Sequence, residues 1–478
     1  MRRAQNHWAR SKWADKEKIL RRFRGIVAEN AGELARLMPS SLARTYADTL
    51  SAEVLPLLDA CKFLEREAEE ILRPQRPGNH RRPLWLQGIR MEVHRDPLGI
   101  VLVIAPSNYP LFLPGVQALQ ALAAGNACIW KPAAGCEGIA HALRQFFLDA
   151  GVVPELLWVT DSSVEIAKSF LGAQVDKVFF TGSASTGQDV LRQLADFATP
   201  AVMELSGCDA VFVLPEADVT RVTQALAFGT RFNGSATCMA PRRVFVPRAV
   251  TADLESRLMA TLSTVPAVAL NADARRLLDE LIEDAQRKGA HLVLDGRGAA
   301  SLVGPVVVTN ANETMRIAQT DIFGPVLALI PCNDQEAALQ MYRASPFALT
   351  AAIFGAEREA RTLADQIVAG TVILNDLIVP TADPRVPFGG RRASGYGVTR
   401  GREGLLEMTA PKVILIQRAR YRLHYQPATG SHFDFFVGVI RGMHGERWRT
   451  RVCGWIQALR TGRRIQRAEQ ILSGKQER

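Results

Sequence analysis

The side chains most able to do chemistry lie in a few short stretches. Cys238 sits in Asn233-Gly234-Ser235-Ala236-Thr237-Cys238-Met239-Ala240-Pro241, a run of small and polar residues. As a thiolate it would be a nucleophile, although a lone cysteine is also commonly a small core residue. Glu204 lies in Val202-Met203-Glu204-Leu205-Ser206-Gly207. A carboxylate among apolar neighbours is costly, so it is either paired structurally or kept for a role such as proton transfer. Asn108 lies in Pro106-Ser107-Asn108-Tyr109-Pro110, just after an apolar run. Its amide fits either a ligand crevice at a strand end or a simple turn. Phe180-Thr181-Gly182-Ser183-Ala184-Ser185-Thr186-Gly187 follows an expected strand and opens an expected helix. Such a junction lets phosphate approach a helix N-terminus, and is equally an ordinary tight turn.

These stretches need a scaffold. Helical spacing covers 14–37 and 56–72, the second opening with Pro56. From Leu84 the pattern turns to strands. Gly99–Ala105 is a continuous apolar run, as in a buried parallel strand. Further strands are expected at 127–130, 156–159, 177–180 and 210–213, with helices at 112–124, 137–150, 164–171 and 186–197 between them. This alternation predicts a doubly wound α/β domain. A second α/β set is expected from strands at 244–246, 292–294, 326–330, 351–354 and 372–374.

The 478 residues are too many for one hydrophobic core, so two or three domains are expected. No run of 18 or more apolar residues predicts a spanning helix, and the basic start lacks the apolar stretch of a secretory signal. Seven widely spaced cysteines without a CxxC suggest neither a disulfide framework nor a zinc site, and no other metal-ligand spacing is present. A reducing, cytoplasmic setting is expected. The formal charge of +10 sits at the two ends: residues 1–24 carry +7 and residues 418–478 carry +9, which leaves −6 for the rest. The basic balance therefore says little about the site.

Taken together, the blocks resemble the aldehyde dehydrogenase superfamily over about residues 14–415, in the family's order. They are Ala105–Pro110, Ala124-Gly125-Asn126 with Trp130-Lys131-Pro132, Phe180–Ser183, Met203–Gly207, Cys238–Arg243, Ile322–Val326, Gly370-Thr371-Val372, and Pro387–Gly390 with Ser394-Gly395. Glu204 and Cys238 stand 34 residues apart, the family's gap. The resemblance implies an α/β fold with a Rossmann-type cofactor domain (1–82 and 100–205), an α/β catalytic domain (206–400) and a β-arm for oligomerisation (83–99 and 401–417). Residues 418–478 are then a basic extension. It also implies oxidation of an aldehyde to the acid with NAD or NADP. Cys238 would be the nucleophile and carry the thioester. Asn108 with the Cys238 backbone N–H would form the oxyanion hole, and Glu204 would be the general base for hydrolysis. Lys131 would contact the adenosine ribose, Gly182 and Ser183 the pyrophosphate, and Phe323 the nicotinamide end, while Asp321 takes the place of the Glu that holds the nicotinamide ribose. A homodimer or tetramer is implied, with the arm strand Arg90–His94 pairing near Lys412–Ile416.

The sequence departs from the family at several points. Ser235-Ala236 replaces a usual Gly-Gln pair, Asp321 a Glu, and Cys208 a common Lys. Ala134, three residues after Lys131, stands where many NAD-preferring members have Glu, which removes a repulsion against the 2′-phosphate of NADP. Two other functions fit the residues. One is acyl transfer to coenzyme A, against which Glu204 argues. The other is a catalytically weak binding or scaffold protein acting through its basic tail. Cofactor-dependent turnover and coenzyme A dependence separate the three. Tyr109, Phe112 and Phe232 suggest an apolar aldehyde if they face the site, and simple packing if they do not. In the tail, Trp448, Val452, Trp455 and Leu459 form a helical stripe among arginines. It fits packing on the body or a partner subunit, contact with an anionic membrane surface, or nucleic-acid contact or disorder; no nucleic-acid partner is expected.

Overall fold

The computed structural model describes residues 1–472 except 43, 79, 81, 84, 85, 87, 174, 299, 300, 419–424, 426 and 427, with side chains up to 467. Leu84, where the sequence pattern turns to strands, and the last six residues of the extension lie outside the described residues. The chain forms two units: Met1–Gln75 with Val93–Val413, and Arg76–Glu92 with Ile414–Arg478.

The larger unit holds two sheets. The first runs in the order Gly395–Tyr396, Ala201–Leu205, Lys177–Gly182, Ile100–Ile104, Ala127–Lys131, Leu157–Val159. All neighbours are parallel except the short Gly395–Tyr396 edge. Counted along the chain, the five parallel strands stand in the order 3-2-1-4-5. The order reverses between Ile100–Ile104 and Lys177–Gly182, the point where ligands enter open α/β sheets. Alternate side chains explain the continuous apolar runs. Val101, Val103 and Phe179 join one core with the helices Phe112–Ala124 and Glu137–Ala150, while Leu102, Ile104, Val178 and Phe180 join another. Phe112–Ala124 is buried at every position, as an all-round apolar helix must be.

The second sheet has the order His291–Arg297, Leu302–Thr309, Val326–Cys332, Pro241–Pro247, Asp209–Val213, Thr350–Phe354, Thr371–Leu374. Asp209–Val213 belongs here, although its place in the alternation suggests the first sheet. An apolar run says that a strand is buried but not which sheet buries it. The chain changes sheets through Ser206-Gly207-Cys208, where the Ser394 hydroxyl donates to the Ser206 carbonyl at 2.9 Å.

The helical spacing over 14–37 resolves into Trp13–Glu29 and Ala31–Arg36, broken at Asn30, whose side-chain amide donates to the Ile26 carbonyl at 2.8 Å. Ile89–Pro97 pairs with Thr409–Gln417 in a two-stranded ribbon. Residues 401–407 form the helix Gly401–Glu407 and not an extended arm, because Leu405 packs with Met408 into the core under the first sheet.

In the smaller unit, Gly430–His444 and Trp448–Leu472 make an antiparallel helical hairpin. Glycines let the helices touch. A Cβ on Gly438 would lie 2.6 Å from the Ala458 nitrogen, and one on Gly442 2.8 Å from the Trp455 ring. The inward stripe of the second helix is Gly454, Ala458, Thr461 and Ile465. Of the expected stripe only Trp455 turns partly in; Trp448, Val452 and Leu459 are exposed.

Candidate active site

Strand ends and one strained turn bring the candidate residues together. Asn108 and Glu204 follow or end strands of the first sheet beside the order reversal. Cys238 comes from the segment between the helix Val219–Arg231 and the strand Pro241–Pro247. Asn233, Gly234 and Ser235 all take left-handed backbone, with φ of 53°, 59° and 65°. Such a turn favours glycine or asparagine, and Ser235 holds it by donating to the Thr230 carbonyl. The Arg242 guanidinium fastens the far side, donating to the Ser235 carbonyl at 3.2 Å and the Gly324 carbonyl at 2.9 Å.

One cavity of about 710 Å³ is lined by Asn108, Gly182, Ser183, Glu204, Cys238, Asp321 and Phe323, with Ala134 also in its wall. Lys131 is not in that wall. It ends its strand half-buried, and burial lowers its ammonium pKa against the opposing charges of Asp161 and Glu137. Tyr109 and Phe112 are buried packing and do not line the cavity; the Tyr109 hydroxyl and the Thr237 hydroxyl are 3.0 Å apart. Phe232 packs on Phe228, ring centroids 4.8 Å apart.

The Asn108 amide nitrogen donates to the Ala236 carbonyl at 2.9 Å, which ties it to the turn before Cys238 and leaves its second N–H for another acceptor. Behind it stands a buried ion pair that the sequence reading did not find. Arg44 bonds Glu53 and the Asn233 side chain, and Glu53 accepts the Leu111 and Phe112 backbone N–H groups at 2.9 and 2.6 Å. Nothing in the local sequence around Arg44 marks it, since Glu53 lies nine residues on with no motif joining the two, and Asn233 lies 189 residues on.

Burial sets the protonation states. It pushes Glu204 up to about 7, the cation of Arg400 opposing, and neither Glu204 oxygen has a hydrogen-bond partner. Burial raises the Cys238 thiol well above its ordinary value, and the negative charges of Glu204, Asp209 and Asp321 add to this while Arg400 opposes it. The Cys238 thiol is therefore neutral, on the same cavity wall as a carboxyl group that titrates around neutrality. Asp321 is pushed up to about 6 by burial against Arg242 and hydrogen bonds from Ser206 and Ile322.

The turn after Lys177–Gly182 suits a dinucleotide. A Cβ on Gly182 would lie 2.7 Å from the Phe180 ring, so the backbone there stays bare. Ser183 caps Ala184–Ala195 by accepting the Thr186 N–H at 3.2 Å. The Thr181 hydroxyl, buried on the cavity wall, has no protein partner. Among the described residues no group of three or more His, Cys, Asp or Glu could hold a metal ion.

The profile of the aldehyde dehydrogenase family matches residues 1–414. A relative in Methylomonas sp., a 4,4'-diapolycopene aldehyde oxidase, is 29% identical over 98% of this chain and 89% of its own. The chain is similar to an NADP-dependent glyceraldehyde-3-phosphate dehydrogenase from Bacillus halodurans complexed with NADP, with TM-score 0.81 and 25% identity over 87% and 90% of the two chains. It shares its fold with a Mycobacterium tuberculosis aldehyde dehydrogenase complexed with NAD+, with TM-score 0.79 and 24% identity over 87% and 88%.

Proposed function

The chain belongs to the aldehyde dehydrogenase family and oxidises aldehydes with NAD or NADP, and we propose that it does so through a thioester on Cys238. The observation that carries this reading is the convergence of Cys238, Glu204 and Asn108 on one cavity beside the strand-order reversal. Glu204, titrating near 7, takes the thiol proton as the Cys238 sulfur attacks the aldehyde carbon. The Asn108 amide and the Cys238 backbone N–H receive the oxyanion. When bound, a dinucleotide would be held by Gly182, Ser183, Asp321 and Phe323, with Lys131 outside the cavity wall for its adenosine end, and would accept the hydride that leaves the former aldehyde carbon as the oxyanion collapses to the Cys238 thioester. Glu204 releases the thiol proton to solvent and then, again as the carboxylate, draws a proton from water, whose oxygen bonds the acyl carbon as the Cys238 thiolate leaves and takes that proton back from Glu204. The acid is released and the thiol is restored.

The test is NAD(P)H formation with short, aromatic and long-chain polyene aldehydes, for the wild type, Cys238→Ser and Glu204→Gln. Turnover abolished in Cys238→Ser supports the reading. Equal turnover in Cys238→Ser, or none in folded wild type with any aldehyde, sinks it. The polyene arm is chosen because the Methylomonas relative aligns over nearly the whole chain, tail included, and the cavity wall carries Leu42, Leu113, Leu270 and Leu277. An extended apolar aldehyde is the proposed substrate class.

Three attributes complete the proposal. The chain works as a homodimer or tetramer through the ribbon, where Val413, Ile414, Leu415 and Ile416 are all exposed. Light scattering that finds only the chain mass would refute this. It works in the cytoplasm, in keeping with seven unpaired cysteines. Secretion into an oxidising compartment would refute that. Its hairpin rests on an anionic membrane surface. Phe433, Phe436, Ile440, Trp448, Val452, Ile456 and Leu459 are exposed there, alongside eight arginines between 441 and 467 opposed by Asp434 and Glu446. Sedimentation with vesicles containing phosphatidylserine, but not with phosphatidylcholine alone, is the expected result. Equal behaviour with both refutes it.

A further inference from the structure

Arg400 stands out on four counts that the reaction scheme above does not use. Its backbone, at φ 62° and ψ 169°, lies in a region that is essentially glycine-only. Its side chain is 4% exposed, with the guanidinium over the rings of Phe388 and Phe112, at 4.5 and 5.5 Å from their centroids. One terminal nitrogen donates to the Thr381 carbonyl at 2.7 Å, while the buried Nε has no partner. No ion pair within 4.0 Å includes it among the described residues, although a buried cation normally demands one.

The matching unsatisfied group is Glu204, buried with both oxygens unpartnered. The two are linked through one segment. Gly395 pairs in register with Glu204, and Arg400 follows five residues later, at the start of Gly401–Glu407. Glu204 opens on the cavity while Arg400 is not part of its wall. A strained backbone that keeps an arginine buried within electrostatic reach of a buried, unpaired carboxyl group calls for an explanation at that carboxyl group.

We propose that Arg400 is a positioning residue that acts through Glu204, its buried charge keeping the Glu204 carboxylate ionised for its work as a base. This rests on the reading of Glu204 given above. The titratable groups around the pair are Cys238 and Tyr109, both neutral, with Asp209 and Asp321 beyond, and the Arg242 cation beside Asp321. Of these, Arg400 is the cation that acts on Glu204. Its charge favours the ionised carboxylate, so removing it moves ionisation to higher pH.

The experiment is the pH profile of thioester hydrolysis in a single turnover, for wild type, Arg400→Gln, Arg400→Gly and Glu204→Gln. Arg400→Gln keeps a donor for the Thr381 carbonyl and removes the charge. Arg400→Gly suits the backbone, and millimolar guanidinium can be added to it. The expected result is an acid limb displaced upward by about one unit or more in either variant, a tenfold loss at fixed acidic pH, with KM little changed and the limb restored by guanidinium. A limb at the wild-type pH in whichever charge-removing variant folds overturns the proposal, even if the rate falls uniformly. Failure of the underlying reading looks different: Glu204→Gln would then keep the wild-type rate and limb.

Discussion

Replacing Glu204 with Gln should stabilise the protein while disabling it. The carboxyl group is 3% exposed, has no hydrogen-bond partner, and is pushed by burial from its ordinary 4.5 to about 7. A carboxyl pKa that is higher in the folded than in the unfolded state means that folding prefers the protonated form. Below pH 4.5 both states are protonated and nothing is lost. Between 4.5 and 7 the penalty grows, and above 7 it is complete. At 1.36 kcal/mol per unit it amounts to roughly 3 kcal/mol. Glutamine resembles the protonated acid in shape and charge, so Glu204→Gln should match wild type near pH 4.5 and exceed it by about 3 kcal/mol at pH 8. The assay is urea unfolding of both proteins across that range. The activity cost is the loss of a general base, roughly 10²–10⁴ in thioester hydrolysis. A variant no more stable than wild type at pH 8 would refute the reasoning, because the carboxylate would then have found stabilising partners. Wild-type hydrolysis should follow the same titration, with about a tenth of Glu204 ionised at pH 6 and nine tenths at pH 8.

Other residues yield further expectations. Asn108→Ala should lower kcat by roughly 10²–10³ through loss of one oxyanion donor; rapid-mixing kinetics that show an unchanged kcat would remove Asn108 from the site. Arg44→Met leaves buried Glu53 uncompensated and should cost about 3–5 kcal/mol, part of it recovered in Arg44→Met/Glu53→Gln, as read by denaturant midpoints. Ala134→Glu adds a carboxylate to the cavity wall and should weaken NADP use at least tenfold, about 1.4 kcal/mol, while sparing NAD. Equal KM ratios before and after that change would show that the 2′-phosphate lies elsewhere.

The amino-acid sequence alone determined most of the strands, though not Leu302–Thr309, because a buried parallel strand must be apolar on both faces and Gly99–Ala105 could be little else. It determined Cys238, Glu204 and Asn108 as candidates, because reactive groups in small, polar or apolar settings are chemically conspicuous in a linear reading. It also placed the basic tail outside the matched family region. Other features were decided only by the tertiary structure. Periodicity could not assign Asp209–Val213 to the second sheet, since burial does not name the burying neighbour. The tail's hairpin depended on Gly438 and Gly442 meeting Gly454 and Ala458. Arg400 and Arg44 read as ordinary surface cations until the fold buried them. Arg400 is acted on by the charge of a carboxyl group 196 residues earlier, and Arg44 bonds a turn 189 residues later. Charge and burial at a site are properties of the whole chain brought together, and they decide which proton moves.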